Sequence, residues 1–283
     1  MKNKLEPIIE ASELLAIQNS SNLVIIAVTT GPNAKELYQE KHLDNALFLD
    51  LNTQLSNIKT DFAQGGRHPL PEIVDFAHLL GTIGITSNSH VVVYDDKNGA
   101  NAAARLWWML KAIGHENVQV LNGGIQAAEK IGFPINSSTV IPKTAENYPA
   151  KNWQLGLVAI DEVAKNSENE DYLVIDVREA YRYRGESEPI DLVAGHIPGS
   201  VNVPLTTNLD NDGLFLSPSI LKEKYQEVVG KRKLENTIVH CGSGVTACHT
   251  LLAMDYAGLE IPKLYVGSWS EWSRNDKNIA TEL

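Results

Sequence analysis

Short apolar runs bounded by polar, glycine-containing turns recur along the whole chain. "NLVIIAV" (22–28), "VVVYD" (91–95) and "VQVLN" (118–122) lie in the first half; "YLVIDV" (172–177), "SVNVP" (200–204), "TIVHC" (237–241) and "KLYVG" (263–267) lie in the second. Their length, and their apolar residues on consecutive positions, are those of strands buried on both faces. Residues 72–82, 100–113, 219–229 and 245–257 carry helical patterns between them. Alternation of this kind predicts an α/β protein built on mostly parallel sheets with helices on both faces.

The two halves also match piece by piece. "VVVYDDKNGANAAARLWWML" aligns with "TIVHCGSGVTACHTLLAM" when Gly99 is set on Gly244, an offset of 145 residues. "VQVLNGGIQAA" then falls on "KLYVGSWSEW" with Gly123 on Gly267, and "HLDNALFLDL" parallels "HIPGSVNVPL" with His42 on His196. A repeat of this length indicates duplication. The expected organisation is a domain over residues 1–137, a proline-bearing linker without periodicity over 138–153, and a second domain over 154–283. The alignment sets Cys241 opposite Asp96, so a nucleophile in the second half has no counterpart in the first.

Composition narrows the setting. The chain has 283 residues, 43% of them apolar, enough for a core in each half. A net charge of −11 repels nucleic acid and anionic membrane, so neither is an expected partner. No apolar run approaches the roughly 20 residues that cross a bilayer, and the acidic start "MKNKLEPIIEASELL" lacks a signal peptide's apolar segment. Two cysteines seven positions apart and eight scattered histidines suggest neither a disulfide framework nor a metal site. A cytoplasmic location is expected.

Candidate chemistry concentrates in "VHCGSGVTACHT" (239–250). A cysteine after a strand is most often a small core residue. Cys241, however, sits where a glycine-rich turn opens into a helix, and a helix N-terminus favours negative charge on a sulfur. Gly242 and Gly244 let the backbone fold into a nest of inward N–H groups, while Ser243 and Thr246 add hydroxyls. Cys248, two turns into the helix, reads as packing. A cysteine phosphatase requires an arginine six positions after its nucleophile to clamp phosphate, and Ala247 stands there.

The loop "CGSGVTAC" resembles that of the tandem-domain rhodanese-fold sulfurtransferases, and most closely their 3-mercaptopyruvate branch, because thiosulfate sulfurtransferases usually carry a basic residue at the position of Ser243. "IDVREAYRYRGESEP", "AGHIPGSVNVP" and "GSWSEW" are similar to the catalytic domain of that family; "GGRHPLP", "AARLWWML" and "VLNGG" are similar to its inactive one. The resemblance implies two rhodanese-like domains, the second catalytic. In it Cys241 takes a sulfane sulfur from a small anionic donor, 3-mercaptopyruvate or thiosulfate, and passes it to a thiol, cyanide or a thioredoxin-like acceptor. Backbone N–H groups of Gly242, Ser243, Gly244, Val245 and Thr246 would cradle the persulfide, with no cofactor or metal. A sulfur-carrier or anion-binding module without turnover is the reading from another class.

Arginine clamps a carboxylate bidentately, and Arg178, Arg182 and Arg184 are candidates. The resemblance assigns substrate binding to Arg182; Arg178, two residues after Asp176, suits a structural ion pair, and Arg184 is open. Many mercaptopyruvate enzymes carry a second arginine where this chain has Ile190. The resemblance also turns His68, in "GGRHPLPE", toward the loop to polarise Ser243. Its acid aligns with Asn52; Asp50 and Asp61 are alternatives.

Overall fold

The computed structural model describes residues 5–282; Met1–Lys4 and Leu283, at the outer ends of the two expected domains, lie outside it. The chain divides into two compact units. The first comprises residues up to Asn57, Pro71–Gln154 and Asn211–Phe215; the second comprises Ile58–Leu70, Leu155–Asp210 and the residues from Leu216 on.

In the first unit the strands are β1 (Ile8–Ile9), β2 (Leu23–Thr29), β3 (His42–Leu43), β4 (Leu47–Asp50), β5 (His90–Tyr94), β6 (Val118–Leu121) and β7 (Ile135–Asn136). The helices are α1 (Ala11–Ile17), α2 (Ala34–Glu40), α3 (Leu51–Gln54), α4 (Ile73–Thr82), α5 (Ala102–Ala112) and α6 (Gly124–Lys130). Five strands form one sheet in the order β1-β6-β5-β2-β4, parallel at every pairing, while β3 and β7 pair antiparallel. Each predicted strand of this half is present.

The second unit contains β8 (Leu157–Val158), β9 (Leu173–Asp176), β10 (Val201–Asn202), β11 (Thr237–His240) and β12 (Lys263–Tyr265). Its helices are α7 (Ile160–Asn166), α8 (Ala180–Arg184), α9 (Pro218–Val229), α10 (Ala247–Tyr256) and α11 (Ser268–Trp272). The sheet order is β10-β9-β11-β12-β8, again parallel throughout. Read from its other edge this is the order of the first unit, strand for strand, so the sequence repeat is a repeat of fold. Ile238 and Val239 of the central strand β11 are fully buried, each removal from water stabilising by about 1.5–3 kcal/mol. That fixes the strand end from which the candidate loop springs.

Three segments depart from a simple division by sequence, the shortest being Asn211–Phe215, which joins the first unit. Residues 145–153 of the expected linker and Gln154, the first residue of the expected second domain, are held in the first unit: Ala145 and Tyr148 N–H groups donate to Gly81 and Ala77 carbonyls, and Gln154 N–H donates to the Ala112 carbonyl. A Cβ at Gly81 would lie 2.6 Å from the Glu146 carbonyl oxygen, so only glycine admits this approach. Residues 58–70, which carry His68, fold with the second unit.

Candidate functional site

Cys241 follows β11 directly and is 1% exposed. The loop from Cys241 to Thr246 turns the chain into α10, and the Gly244 N–H donates to Cys241 Sγ at 3.2 Å. Gly244 adopts φ +72°, and a Cβ there would overlap the Val266 carbonyl oxygen, so this turn requires glycine. Val245 and Ser243 are buried, and Thr246 is the residue before α10. Cys248 is buried on α10, its thiol 3.4 Å from the Gly244 carbonyl that accepts from it; it packs beneath the loop.

The start of α11 pins the loop from the other side. Cys241 N–H donates to Ser268 Oγ (3.1 Å), Trp269 N–H to the Cys241 carbonyl (3.0 Å) and Ser270 N–H to the Gly242 carbonyl (2.8 Å). Ser268 itself sits at φ +54°, a left-handed conformation uncommon for a non-glycine residue, and is fully buried. Trp269 and Trp272, both buried, belong to the core of this unit.

Segment 58–70 is moored to the same helix. Gly65 N–H donates to Glu271 Oε1 (2.8 Å), Arg67 N–H to Ser270 Oγ (3.0 Å) and Asn275 Nδ2 to the Ala63 carbonyl (3.1 Å). This brings His68 Nδ1 to 2.8 Å from Ser243 Oγ. Of the acids considered for His68, Asp50 caps α3 by accepting from Asn52 and Thr53 N–H, and Asp61 accepts from Ala63 N–H and Gln64 Nε2 within its own turn.

Beside the loop lies an interlocked charge network. Arg178 is buried, bound to Asp176 (2.6 Å), Glu188 (3.2 Å) and the Gly195 carbonyl, with its guanidinium 4.4 Å from the Trp269 ring centre. Arg182 binds Glu188 (2.7 Å) and Asp191 (3.3 Å), with the exposed Glu179 at 3.5 Å. Arg184 pairs with Glu186 at the surface, apart from the network. Asp191, whose side chain is 0% exposed, also accepts from Arg67 Nε (3.0 Å) and Arg274 Nη1 (3.3 Å). Thus four guanidiniums face three buried carboxylates, Asp176, Glu188 and Asp191, an excess of one positive charge.

Burial pulls the Arg182 guanidinium down, but Glu188, with Glu179 and Asp191, outweighs it and holds its pKa above the ordinary arginine value. Burial likewise pushes Glu188 up; Arg182 and the N–H groups of Asp191 and Ile190 prevail, and it stays a carboxylate. A Cβ at Gly242 would lie 3.0 Å from Arg67 Nη2 and 3.4 Å from Arg182 Nη2. Both guanidiniums therefore reach the residue next to Cys241. Ile190, by contrast, is 53% exposed.

Asp191, Arg274 and Ser268 had no sequence signal of their own. The first two meet Arg67 and Arg182 from three separate stretches of chain, Arg182 and Asp191 sharing one, and Ser268 looks like any helix-start serine. The "SEP" before Ile190 did place a carboxylate, Glu188, close to the arginines.

The corresponding loop of the first unit is closed by its own chain. Asp95, 1% exposed at the end of β5, accepts from the N–H groups of Lys97 and Gly99 through Oδ1 and of Asn101 and Ala103 through Oδ2. Its carboxylate occupies the cradle. The strand registers set Tyr94 on His240, so the counterpart of Cys241 in the fold is Asp95; Asp96, which the sequence alignment placed there, lies one residue further along a longer loop, with 49% of its side chain exposed.

Among the described residues, no group of three or more His, Cys, Asp or Glu side chains is arranged to hold a metal ion, and no helix is long and apolar enough to cross a membrane. A family model described as "Rhodanese-like domain" matches residues 10–130 and again 159–275. A probable 3-mercaptopyruvate sulfurtransferase of Pseudomonas aeruginosa is 36% identical, the match covering 94% of each chain. A thiosulfate sulfurtransferase of Rattus norvegicus is also 36% identical, over 85% of this chain and 80% of its own. The solved 3-mercaptopyruvate sulfurtransferase of Leishmania major superposes with a TM-score of 0.82 at 30% identity, covering 95% of this chain and 74% of that one.

Proposed function

Because the chain belongs to the rhodanese-like domain family and is a sulfurtransferase, we propose that it takes sulfur from 3-mercaptopyruvate onto Cys241 and passes it to a thiol or to cyanide. Overall identity does not separate the donors, since relatives named for each are equally similar. The reading is carried by the Ser243–His68 pair at 2.8 Å beside the nucleophile. Removing sulfur from mercaptopyruvate leaves an enolate that must be protonated, whereas sulfite leaves thiosulfate as a stable anion. A hydroxyl coupled to an imidazole meets the first need.

In the proposed reaction the Cys241 thiolate attacks the donor sulfur. An S–S bond forms, the C–S bond breaks, and its electrons pass to the former C3 of the donor. The donor's thiol proton, relayed through Ser243 and His68, ends on that carbon and yields pyruvate. The Gly244 N–H, already directed at Sγ, and its neighbours in the loop stabilise the persulfide anion. An acceptor thiol then attacks the outer sulfur, leaves as a persulfide and returns Cys241 to its thiolate. Neither step draws on a cofactor.

Arg182 is the proposed carboxylate-binding residue; Arg178 braces Asp176 and Glu188, and Arg184 stands outside the site. The local excess of positive charge draws a small anionic donor to the site. The first domain is proposed to be non-catalytic, its cradle being filled by Asp95. Two cysteines held in no disulfide favour a reducing, cytoplasmic setting. Steady-state rates with mercaptopyruvate and thiosulfate side by side test the donor. A larger kcat/KM for mercaptopyruvate is expected; a larger one for thiosulfate overturns the assignment.

A further inference from the structure

Arg182 is a cation whose donors are mostly spent. A guanidinium has five N–H groups. In Arg182 the Nε–H and one Nη2–H are engaged by Glu188, the other Nη2–H by Asp191 and one Nη1–H by Glu179. One N–H is left for a ligand, so a bidentate grip on a carboxylate cannot come from Arg182 alone unless it gives up a contact to Glu179, Asp191 or Glu188.

Arg67 differs. Its Nε–H and one Nη2–H are engaged, both by Asp191. Three N–H groups remain, and the side chain keeps 21% of its exposure, at the edge of the network rather than inside it. Its Nη2 is the atom nearest to where a Cβ on Gly242 would stand, closer than Arg182 Nη2 (3.0 against 3.4 Å). The backbone beneath it is fixed. Arg67 N–H is tied to Ser270, whose own N–H binds the Gly242 carbonyl, so one serine couples the arginine to the nucleophile loop. Gly66, at φ +79°, lets the segment come this close: a Cβ there would meet the Gly267 carbonyl oxygen and lie 2.6 Å from Ser270 Oγ.

Asp191 completes the device. It is held by Arg274 from behind and accepts from Arg67 and Arg182 in front. One carboxylate therefore sets the spacing and orientation of two guanidiniums around Gly242.

We propose that Arg67 is a donor-binding, specificity-determining residue, the principal hydrogen-bond partner of the donor carboxylate, with Asp191 as its positioning residue. This rests on the reading of the donor as a carboxylate-bearing thiol. It explains how a chain with exposed Ile190 in place of a second arginine still presents two cations beside Cys241.

The test compares two donors, 3-mercaptopyruvate and its carboxamide analogue, in the wild type, Arg67→Met and Arg67→Lys. Thermal unfolding establishes that each variant is folded. Loss of a charge-assisted pair is expected to raise KM for the acid by about 10- to 100-fold in Arg67→Met. The change in kcat is expected to be much smaller. The amide should suffer far less, so the wild-type preference for acid over amide collapses; Arg67→Lys keeps the charge without the fork and falls between. A folded Arg67→Met that retains the wild-type acid/amide preference overturns the role of Arg67 while leaving the donor reading intact. Equal losses on both donors make Arg67 structural and overturn it too. A wild type that does not distinguish acid from amide overturns the donor reading, and the proposal with it.

Discussion

His68 Nδ1 lies 2.8 Å from the hydroxyl of Ser243, two residues from the buried thiol of Cys241. The pair depends on a segment that is far away in sequence and is moored to α11 through Gly65 and Arg67 and to Asn275, just past that helix, through the Ala63 carbonyl. In the proposed reaction it supplies the proton path that a carbon leaving group requires.

Ser243→Ala removes that path and leaves the N–H cradle in place. Its kcat with mercaptopyruvate is expected to fall by about 100-fold, the lower range for positioned proton transfer. Its rate with thiosulfate should fall less, because sulfite departs without a proton. Equal losses with the two donors, measured by pyruvate and sulfite release, contradict the relay.

Asp191→Asn raises the local excess of positive charge by one. The ratio of kcat/KM for thiosulfate to that for mercaptopyruvate is expected to increase, since a dianion gains more from the added charge. The variant also loses stability, as three guanidiniums lose a buried counter-charge. An unchanged donor ratio in folded protein contradicts charge matching.

Asp96→Cys puts a thiol where the sequence alignment, though not the fold, sets the counterpart of Cys241. No second sulfur-accepting site should result, because the Asp95 carboxylate fills the cradle and residue 96 faces solvent. Mass spectrometry after exposure to donor is expected to show uptake at Cys241 alone. A stable persulfide on residue 96 contradicts this account of the silent loop.

Acid should destabilise the fold through buried histidines. Burial pushes His249 down to about 3 and also lowers His115 and His240 below their usual 6.5. All three are depressed bases, so below pH 6.5 the unfolded chain binds more protons than the folded one. Stability is then lost as pH falls, by about 1.4 kcal/mol per pH unit for each histidine still neutral in the fold. Asp95, raised chiefly by burial, opposes this at lower pH. Denaturant unfolding from pH 7 to 5 should show a shallower loss for His249→Asn than for the wild type; equal slopes contradict the assignment.

Much of the architecture was readable from apolar runs. The runs at 22–28, 91–95, 172–177 and 237–241 are the buried strands β2, β5, β9 and β11, and the internal repeat reappears as the same strand order. The two-residue edge strands β1 and β8 were not readable because no alternating run surrounds them, whereas β10, equally short, sits in "SVNVP". Residues 145–154 carry no periodicity because their N–H groups are satisfied by α4 and α5 carbonyls rather than within an element of their own. In the site, Cys241 and its glycines announced themselves through local turn chemistry. The meeting of Arg67, Arg182, Asp191 and Arg274 did not, since it arises only when distant stretches fold together. Ile190 suggested a weakened clamp for the same reason: the sequence shows which side chain is missing there, but not that Arg67 comes up beside Gly242.

The central claim is that Cys241 carries the transferred sulfur. Intact-mass and peptide measurements after brief incubation with 3-mercaptopyruvate test it most directly. The account predicts a gain of one sulfur atom, mapped to Cys241, removed by a thiol acceptor and absent in Cys241→Ser. No gain, or a gain that persists in Cys241→Ser, contradicts it.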